Sequence, residues 1–294
     1  MLEAPTLRFT KMHGLGNDYV YLDGHSEDLT QYDLTELAKL VSDRHFGVGS
    51  DGLILVLPSE QADFRMRIFN PDGSEAEMCG NGIRAFAKYV YEHGLTHKAD
   101  LIVHTGAGLI HPVLTLEGGR VVSVRVDMGE PRLARSEIPM AGEPAHQAVV
   151  NEALQVAGET IHVTCVSMGN PHCVIFVEDV AEAPVAELGP QVENHAAFPA
   201  RTNVEFVQVV DRDYVKMRVW ERGAGETLAC GTGASATLVA CVLNDLTDRS
   251  AQVQLVGGSL EIEWAENDHV YMTGPAAEVF TGELSEELLA RVTV

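Results

Sequence analysis

The chain has 294 residues, 46% hydrophobic and 21% charged, the proportions of a globular protein of one large or two moderate domains. Twenty Lys and Arg stand against 43 Asp and Glu, and the formal net charge of −23 argues against nucleic-acid or anionic-membrane partners, which want basic faces. Five cysteines, at 79, 165, 173, 230 and 241, show no framework rhythm and no C-x-x-C pair, so reduced thiols are expected rather than a disulfide scaffold or a zinc site.

The opening "MLEAPTLRFTKMHG" lacks a charged-then-apolar leader, and no apolar run approaches membrane length, so a cytoplasmic protein is expected. Short strand-like runs then dominate. "LRFTKMHG" and "YVYLDG" flank the Gly-rich turn "GLGND", and "LTELAKLVSDRHFG" sets Leu34, Leu37 and Val41 on one helical face. "GLILVLP" and "FRMRIFN" read as strands and "NPDG" as a turn. "GIRAFAKYVYEHG" puts Ile83, Phe86, Ala87 and Val90 on one stripe, with Gly94 where a C-terminal cap belongs. "LIVHTGAG" and "LIHPVLTLEGGRVVSVRVDMGE" read as hairpins.

The second half repeats this grammar. "HVTCVSMG" and "HCVIFVED" flank "NP", "NVEFVQVV" and "VKMRVWE" are strands, "GASATLVACVLND" is a helix, and "VQLVGGSLEIEWAENDHVYMTG" closes with hairpins. The strand pattern breaks near Glu130–Pro131. We therefore expect an N-terminal half over 1–129, to which 275–294 returns, and a C-terminal half over 130–274.

The repeat is visible residue by residue. "MRIFNPDGSEAEMCGNGIRA" from Met66 and "MRVWERGAGETLACGTGASA" from Met217 align without gaps at an offset of 151, matching at Met, Arg, one Glu, Cys, both Gly of C-G-x-G and the last Ala. Asn17 precedes Cys79 by 62 residues and Asn170 precedes Cys230 by 60. At the common offset Gly52 corresponds to Asn203, Asn70 to Glu221 and Asn81 to Thr232. Each half thus presents one cysteine with nearby amides, which implies a site at their junction.

In each copy Cys-Gly-x-Gly opens a helix. Glycine lets a ligand approach the bare backbone, and the free N–H groups with the positive dipole end favour a carboxylate or phosphate there. The same field is expected to depress the pKa of Cys79 and Cys230 below the free-thiol value near ~8.5. Two such thiols suit inversion of a carbon beside a carboxylate. One removes the proton from one face, the other delivers a proton to the opposite face, and helix-end N–H groups hold the charge that develops between. That chemistry needs no cofactor.

Together, "GLGNDY", "FNPDGSEAEMCGNGIRA", "GNPHCV", "RTNVEFV" and "ERGAGETLACGTGA" resemble the diaminopimelate epimerase family over nearly the whole chain. The resemblance implies an α/β fold of two pseudo-symmetric halves, each a barrel-like, mostly antiparallel sheet around a central helix. It implies a cofactor-independent enzyme interconverting LL- and meso-diaminopimelate for lysine and peptidoglycan synthesis, with no metal. By the same resemblance Cys79 is the proton donor and Cys230 the acceptor. Asn17, Asn70, Asn170 and Asn203 hold the substrate's amino and carboxylate groups, and Arg222, with Glu221 beside it, takes the remote carboxylate. Gly80 with Asn81, and Gly231 with Thr232, supply the helix-end N–H sets, while His172 and Glu221 tune the thiols.

The chain departs from the family's pattern in three places. Gly52 stands where some members carry a Gln that contacts substrate, and Ser235 replaces a further Cys. Phe280 replaces a Tyr that aids dimer formation, leaving an apolar contact for an expected homodimer. Cys165, Cys173 and Cys241 read as core residues, and His13 and His45 as structural.

Two other readings stay open at this point. A proline or hydroxyproline racemase-like enzyme has similar paired cysteines, but tends to show His after "MCG", where this chain has Asn81. A thiol redox or small-molecule-binding protein would use Cys79 and Cys230 as a disulfide switch, and lack of α-proton exchange would favour it.

Overall fold

In a computed structural model of the chain, residues 6–293 are described. Met1–Pro5, which open the segment read above as lacking a leader pattern, lie outside the described residues. Two compact units form, one running to Val126 and resuming at Pro275, the other spanning Asp127–Gly274.

The first unit opens with β1 (Leu7–Gly14) and β2 (Asn17–Asp23), then α1 (Leu34–Ser42). Next come β3 (Leu53–Leu57), β4 (Phe64–Phe69), the short β5 (Glu75–Ala76) and α2 (Gly80–Glu92). β6 (Val103–Thr105), β7 (Gly108–Ile110), β8 (Val113–Glu117) and β9 (Arg120–Asp127) follow as short strands. The second unit carries β10 (Val149–Val156), β11 (Glu159–Ser167), β12 (Pro171–Phe176) and α3 (Val185–Glu193). It continues through β13 (Asn203–Asp211), β14 (Tyr214–Glu221), β15 (Gly225–Thr227) and α4 (Gly231–Leu243). β16 (Ser250–Leu255), β17 (Gly258–Trp264) and β18 (Val270–Gly274) complete it. β19 (Ala277–Leu284) and α5 (Glu286–Leu289) return to the first unit.

The first unit's main sheet runs β19-β1-β2-β3-β4-β6-β7, and the second unit's runs β10-β11-β12-β13-β14-β16-β17-β18. Most neighbours are antiparallel, but β2/β3, β4/β6, β12/β13 and β14/β16 are parallel. Among the described residues neither sheet closes on itself as a barrel.

Both units are layered alike around a parallel strand pair. Val20, Leu22, Leu53 and Leu55 face α1 and pack with its Leu37 and Val41. On the other face Tyr21 and Ile54 meet the start of α2, whose stripe of Ile83, Phe86, Ala87 and Val90 is fully buried. In the second unit Cys173, Val204 and Phe206 face α3, while α4 lies on the opposite side against β11–β14 and β16–β18. Strands buried on both faces read as continuous apolar runs rather than alternating ones, which is why "YVYL", "LILVL" and "HCVIF" lack period-two polarity. α4 is apolar all round because it is buried all round: Gly231 and Gly233–Cys241 are all inaccessible.

Val185–Glu193, which the sequence analysis leaves unassigned, forms a helix with Gly189 and Pro190 inside it, both poor helix formers. Packing overrides propensity here. A Cβ at Gly189 would stand 2.6 Å from Trp220 Cγ, so only glycine leaves room for that side chain against the helix. The Trp220 Nε1–H then donates to Glu193 at 2.7 Å.

Candidate active site

Cys79 is the N-cap of α2, in extended backbone conformation, and its Sγ accepts from the Gly82 N–H at 3.3 Å. A sulfur at an N-cap therefore does what an Asp or Ser oxygen usually does. The Tyr19 hydroxyl donates to the same sulfur at 3.4 Å, and Asn17 Oδ1 lies 3.5 Å away. Asn17 is itself oriented: its Nδ2 donates to Asp51 at 2.8 Å, and Asp51 also accepts from the Asp18 N–H at 3.0 Å. Arg44 pairs with both Asp18 and Asp51, and the buried Lys11 pairs with Asp18. Under the helix start lies Arg84, fully buried, donating to Gly80 O at 3.1 Å and Asn81 Oδ1 at 3.0 Å. Burial lowers its pKa to about 10, so it stays a cation at neutral pH beside Cys79.

Asn70 behaves differently from the other amides. Its Nδ2 donates to Ser74 Oγ at 3.0 Å and its backbone N–H to Ser74 O at 2.8 Å, closing the N-P-D-G turn ahead of Cys79. Gly52 admits no side chain, since a Cβ there would sit 2.3 Å from the Phe69 carbonyl oxygen.

In the second unit Cys230 is the N-cap of α4 and is 5% exposed. Its Sγ lies 3.5 Å from Thr232 Oγ1, which accepts from Asn170 Nδ2 at 3.3 Å. Asn170 Oδ1 meets His172 Nε2 at 3.0 Å, and His172 Nδ1 meets Glu205 Oε1 at 2.7 Å. Asn203 is a buried latch: its Nδ2 donates to Pro171 O at 2.8 Å, and its Oδ1 accepts the Arg222 backbone N–H at 2.9 Å. The Arg222 guanidinium is exposed, donates to Ala200 O at 3.0 Å, and is in no ion pair among the described residues. Glu221 accepts from the Thr227 hydroxyl. Gly80 and Gly231 each begin a helix, where geometry leaves first-turn amides without intrahelical acceptors.

One expectation is corrected. Cys230 was expected to have a depressed pKa, yet it lies well above the ordinary thiol value. Burial is the largest cause, and the carboxylates of Glu221 and Glu205 add to it; the Thr232 hydroxyl and the Gly233 amide pull the other way. A helix end favours a thiolate, but removal from water costs the charged form more. Burial likewise holds the Tyr19 and Tyr21 phenols well above their usual range, so Tyr19 remains an O–H donor toward Cys79.

Tyr19, Arg84 and Glu205 are not singled out in the sequence analysis, and Asp51 is no substitute there for a side chain at Gly52. Tyr19 and Glu205 lie inside the quoted motifs "GLGNDY" and "RTNVEFV", where alternation on a strand marks which residues share the helix-facing side. Arg84 had no signal beyond a charge on an apolar helix face. His13 accepts from the Gly16 N–H at 3.2 Å within its own turn, and Cys165, Cys173 and Cys241 are buried core thiols. Among the described residues no three His, Cys, Asp or Glu side chains converge as a metal site, and no helix is long and apolar enough to cross a membrane.

The solved structures that this fold matches define its class. A PhzF-family phenazine biosynthesis protein of Bacillus anthracis superposes with a TM-score of 0.69 at 19% identity, covering 96% of this chain and 99% of that one. A hydroxyproline epimerase of Agrobacterium vitis, with bound trans-4-hydroxy-L-proline, gives 0.66 at 15% identity, covering 97% and 94%. The two-unit fold with a central helix in each is thus that of the PhzF and proline-racemase class. Within that class the sequence is specific: the model of the diaminopimelate epimerase family matches residues 9–134 and 164–279. The diaminopimelate epimerase of Moorella thermoacetica is 61% identical over 278 residues, covering 94% of this chain and 99% of the relative. That of Methanococcus maripaludis strain S2 is 54% identical over 279 residues, covering 95% and 99%. The chain belongs to the diaminopimelate epimerase family, and is an isomerase of the epimerase type.

Proposed function

We propose that the chain interconverts LL- and meso-diaminopimelate without a cofactor, Cys79 acting as proton donor and Cys230 as proton acceptor. The observation that carries the reading is a cysteine at the N-cap of the central helix in each unit. The Cys230 thiolate takes the α-proton, and the C–H electron pair stays on carbon and spreads into the adjacent carboxylate. The Cys79 thiol then gives its proton to the opposite face of that carbon. Turnover leaves Cys79 as thiolate and Cys230 as thiol, and the reverse reaction starts from that state with the roles exchanged.

The first-turn amides of Gly80 and Asn81, and of Gly231 and Thr232, would receive the carboxylate charge as it develops. Asn17, Asn70, Asn170 and Asn203 contribute amide contacts to the substrate. Arg222, exposed and in no ion pair among the described residues, takes the remote carboxylate with Glu221 beside it. The proposal extends to a cytoplasmic homodimer serving lysine and peptidoglycan synthesis. What supports the dimer is the edge strand β19, where Val279 is 54% and Phe280 46% exposed, with Phe280 edge-on to Phe9 at 5.8 Å.

The test is incubation of purified, reduced, chelator-treated protein with LL-diaminopimelate. Formation of the meso isomer is expected. Absence of both the meso isomer and solvent-hydrogen exchange at the α-carbon would overturn the reading.

A further inference from the structure

Glu205 is the side chain that breaks the likeness of the two units most sharply. In the first unit β2 and β3 pair Tyr21 with Ile54, and in the second β12 and β13 pair Val174 with Glu205. Both partners lie beneath the first turn of the central helix. A Cβ on Gly82 would stand 2.8 Å from Ile54 Cδ1, and one on Gly233 would stand 2.9 Å from Glu205 Oε1. A hydrocarbon therefore suffices for packing at this position. The second unit instead buries a carboxylate completely, with Oε2 lacking any hydrogen-bond partner. Such burial is costly unless the group makes a bond that matters elsewhere.

That bond is to His172, also fully buried, and it starts a chain of four contacts. Glu205 Oε1 meets His172 Nδ1 at 2.7 Å, and Nε2 meets Asn170 Oδ1 at 3.0 Å. Asn170 Nδ2 reaches Thr232 Oγ1 at 3.3 Å, and Oγ1 reaches Cys230 Sγ at 3.5 Å. An amide oxygen only accepts, so His172 Nε2 carries hydrogen in this arrangement. A threonine hydroxyl that accepts from Asn170 has its own proton to offer the sulfur. At the other end one proton lies between Oε1 and Nδ1, which leaves the buried pair neutral overall.

We propose that Glu205 is a positioning residue: by holding Nδ1 of His172 it fixes the direction of the chain through Asn170 and Thr232, so that the chain ends in a hydroxyl proton directed at Cys230. This rests on the reading of Cys230 as the proton acceptor. A thiolate formed there is buried and faces two carboxylates, Glu221 on β14 and Glu205 on β13. The Thr232 hydroxyl, with the Gly233 amide, favours the ionised form of that sulfur against them. Glu205 itself is faced by His172 and Cys173 on β12 and by Glu221. In the first unit the buried Tyr19 supplies a hydroxyl to Cys79 directly, so no such chain is needed.

Nuclear magnetic resonance of the intact protein without substrate reads both ends of the chain. Nitrogen shifts of the His172 ring should show Nε2 protonated, and a bare Nε2 would overturn the proposal. Cβ shifts of labelled cysteine give each thiol's ionisation midpoint. Glu205→Leu should raise the Cys230 midpoint by about one pH unit, roughly a tenfold loss of thiolate, with Cys79 unmoved. Glu205→Gln, whose amide N–H can hold Nδ1 as the shared proton does, should restore it. If Glu205 acts only as a charge, both variants lower the midpoint, and if it only packs, Leu leaves it unchanged; either result overturns the proposal. Should Glu205→Leu fail to fold, Thr232→Val must give the same rise, and no rise contradicts the chain. These readouts need no turnover, so the two-base reading can fail while this one stands, and the reverse.

Discussion

The Tyr19 hydroxyl points at the sulfur of Cys79, 3.4 Å away, and donates to it. With the Gly82 N–H at 3.3 Å it gives that sulfur two donors from two different elements, a strand and a helix start. The Asn17 that precedes Tyr19 in "GLGNDY" lies 3.5 Å from the same sulfur, so one short stretch of β2 furnishes both a donor and an amide.

Removing that hydroxyl tests its part in charge stabilisation. Tyr19→Phe keeps the ring and its burial but withdraws a hydrogen bond that matters most once Cys79 has become a thiolate. We expect roughly a tenfold fall in kcat for the direction in which Cys79 gives up its proton, with little change in thermal stability. Steady-state kinetics in both directions check this, and an unchanged kcat would remove Tyr19 from the chemistry.

The glycines in C-G-x-G differ in what crowds them. Gly233→Ala drives a methyl toward Glu205 Oε1 at 2.9 Å and Cys230 Sγ at 3.2 Å, both in fixed positions. Gly82→Ala meets Ile54 Cδ1 at 2.8 Å, the terminal methyl of an aliphatic side chain, and clears Cys79 Sγ at 3.5 Å. Gly233→Ala should therefore cost activity by orders of magnitude and about 1–3 kcal/mol of stability, and Gly82→Ala distinctly less of both. Chemical denaturation and kinetics on the pair give the comparison; equal effects would deny the asymmetry.

Asn203 joins Pro171 at the start of β12 to the backbone of Arg222. Asn203→Ala leaves a buried carbonyl and an amide unpaired, and should cost about 1–3 kcal/mol. Because it frees the turn that carries Arg222, it should also raise KM, as Arg222→Ala should with a smaller effect on stability. A KM that stays constant in both variants would take Arg222 out of substrate binding.

Alkaline pH should destabilise the fold through its buried thiols. Burial pushes Cys241 up to about 12 and raises Cys230, while a hydrogen bond with Cys165, together with burial, raises Cys173. In the unfolded chain these thiols ionise near ~8.5, so between that pH and their folded values the native state holds more protons. Stability is then full below about pH 8.5 and falls as pH rises, by up to about 1.4 kcal/mol per pH unit for each thiol. Denaturation midpoints measured from neutral to alkaline pH should decline through that window, and a flat profile would contradict the assignment.

How much of this could be read from the sequence depended on whether a feature was local. Cys79 and Cys230 open helices because the turn, the glycines and the apolar stripe after them are contiguous. The same holds for Gly94, whose positive φ of 74° ends α2. Features made by two distant segments stayed hidden. Arg84 looks like a misplaced charge until Pro275 O, 191 residues away, is found to accept from its Nε, and Glu205 looks like an ordinary strand residue until His172 lies across from it. Nothing local marks helix α3, whose Gly189 makes room for Trp220, a partner 31 residues away. The expected drop in the Cys230 pKa failed for the same reason: dipole direction is local, but burial is collective.

The central claim is that two different thiols handle the two protons, and its most direct measurement is the fate of hydrogen in deuterated water. LL-diaminopimelate is incubated with the enzyme and sampled at low conversion. If Cys230 removes the α-proton and Cys79 supplies another from solvent, the meso product carries deuterium at the inverted carbon while recovered substrate carries none. Deuterium appearing in unreacted substrate as fast as in product, or product retaining the substrate's own proton, would contradict the two-base account.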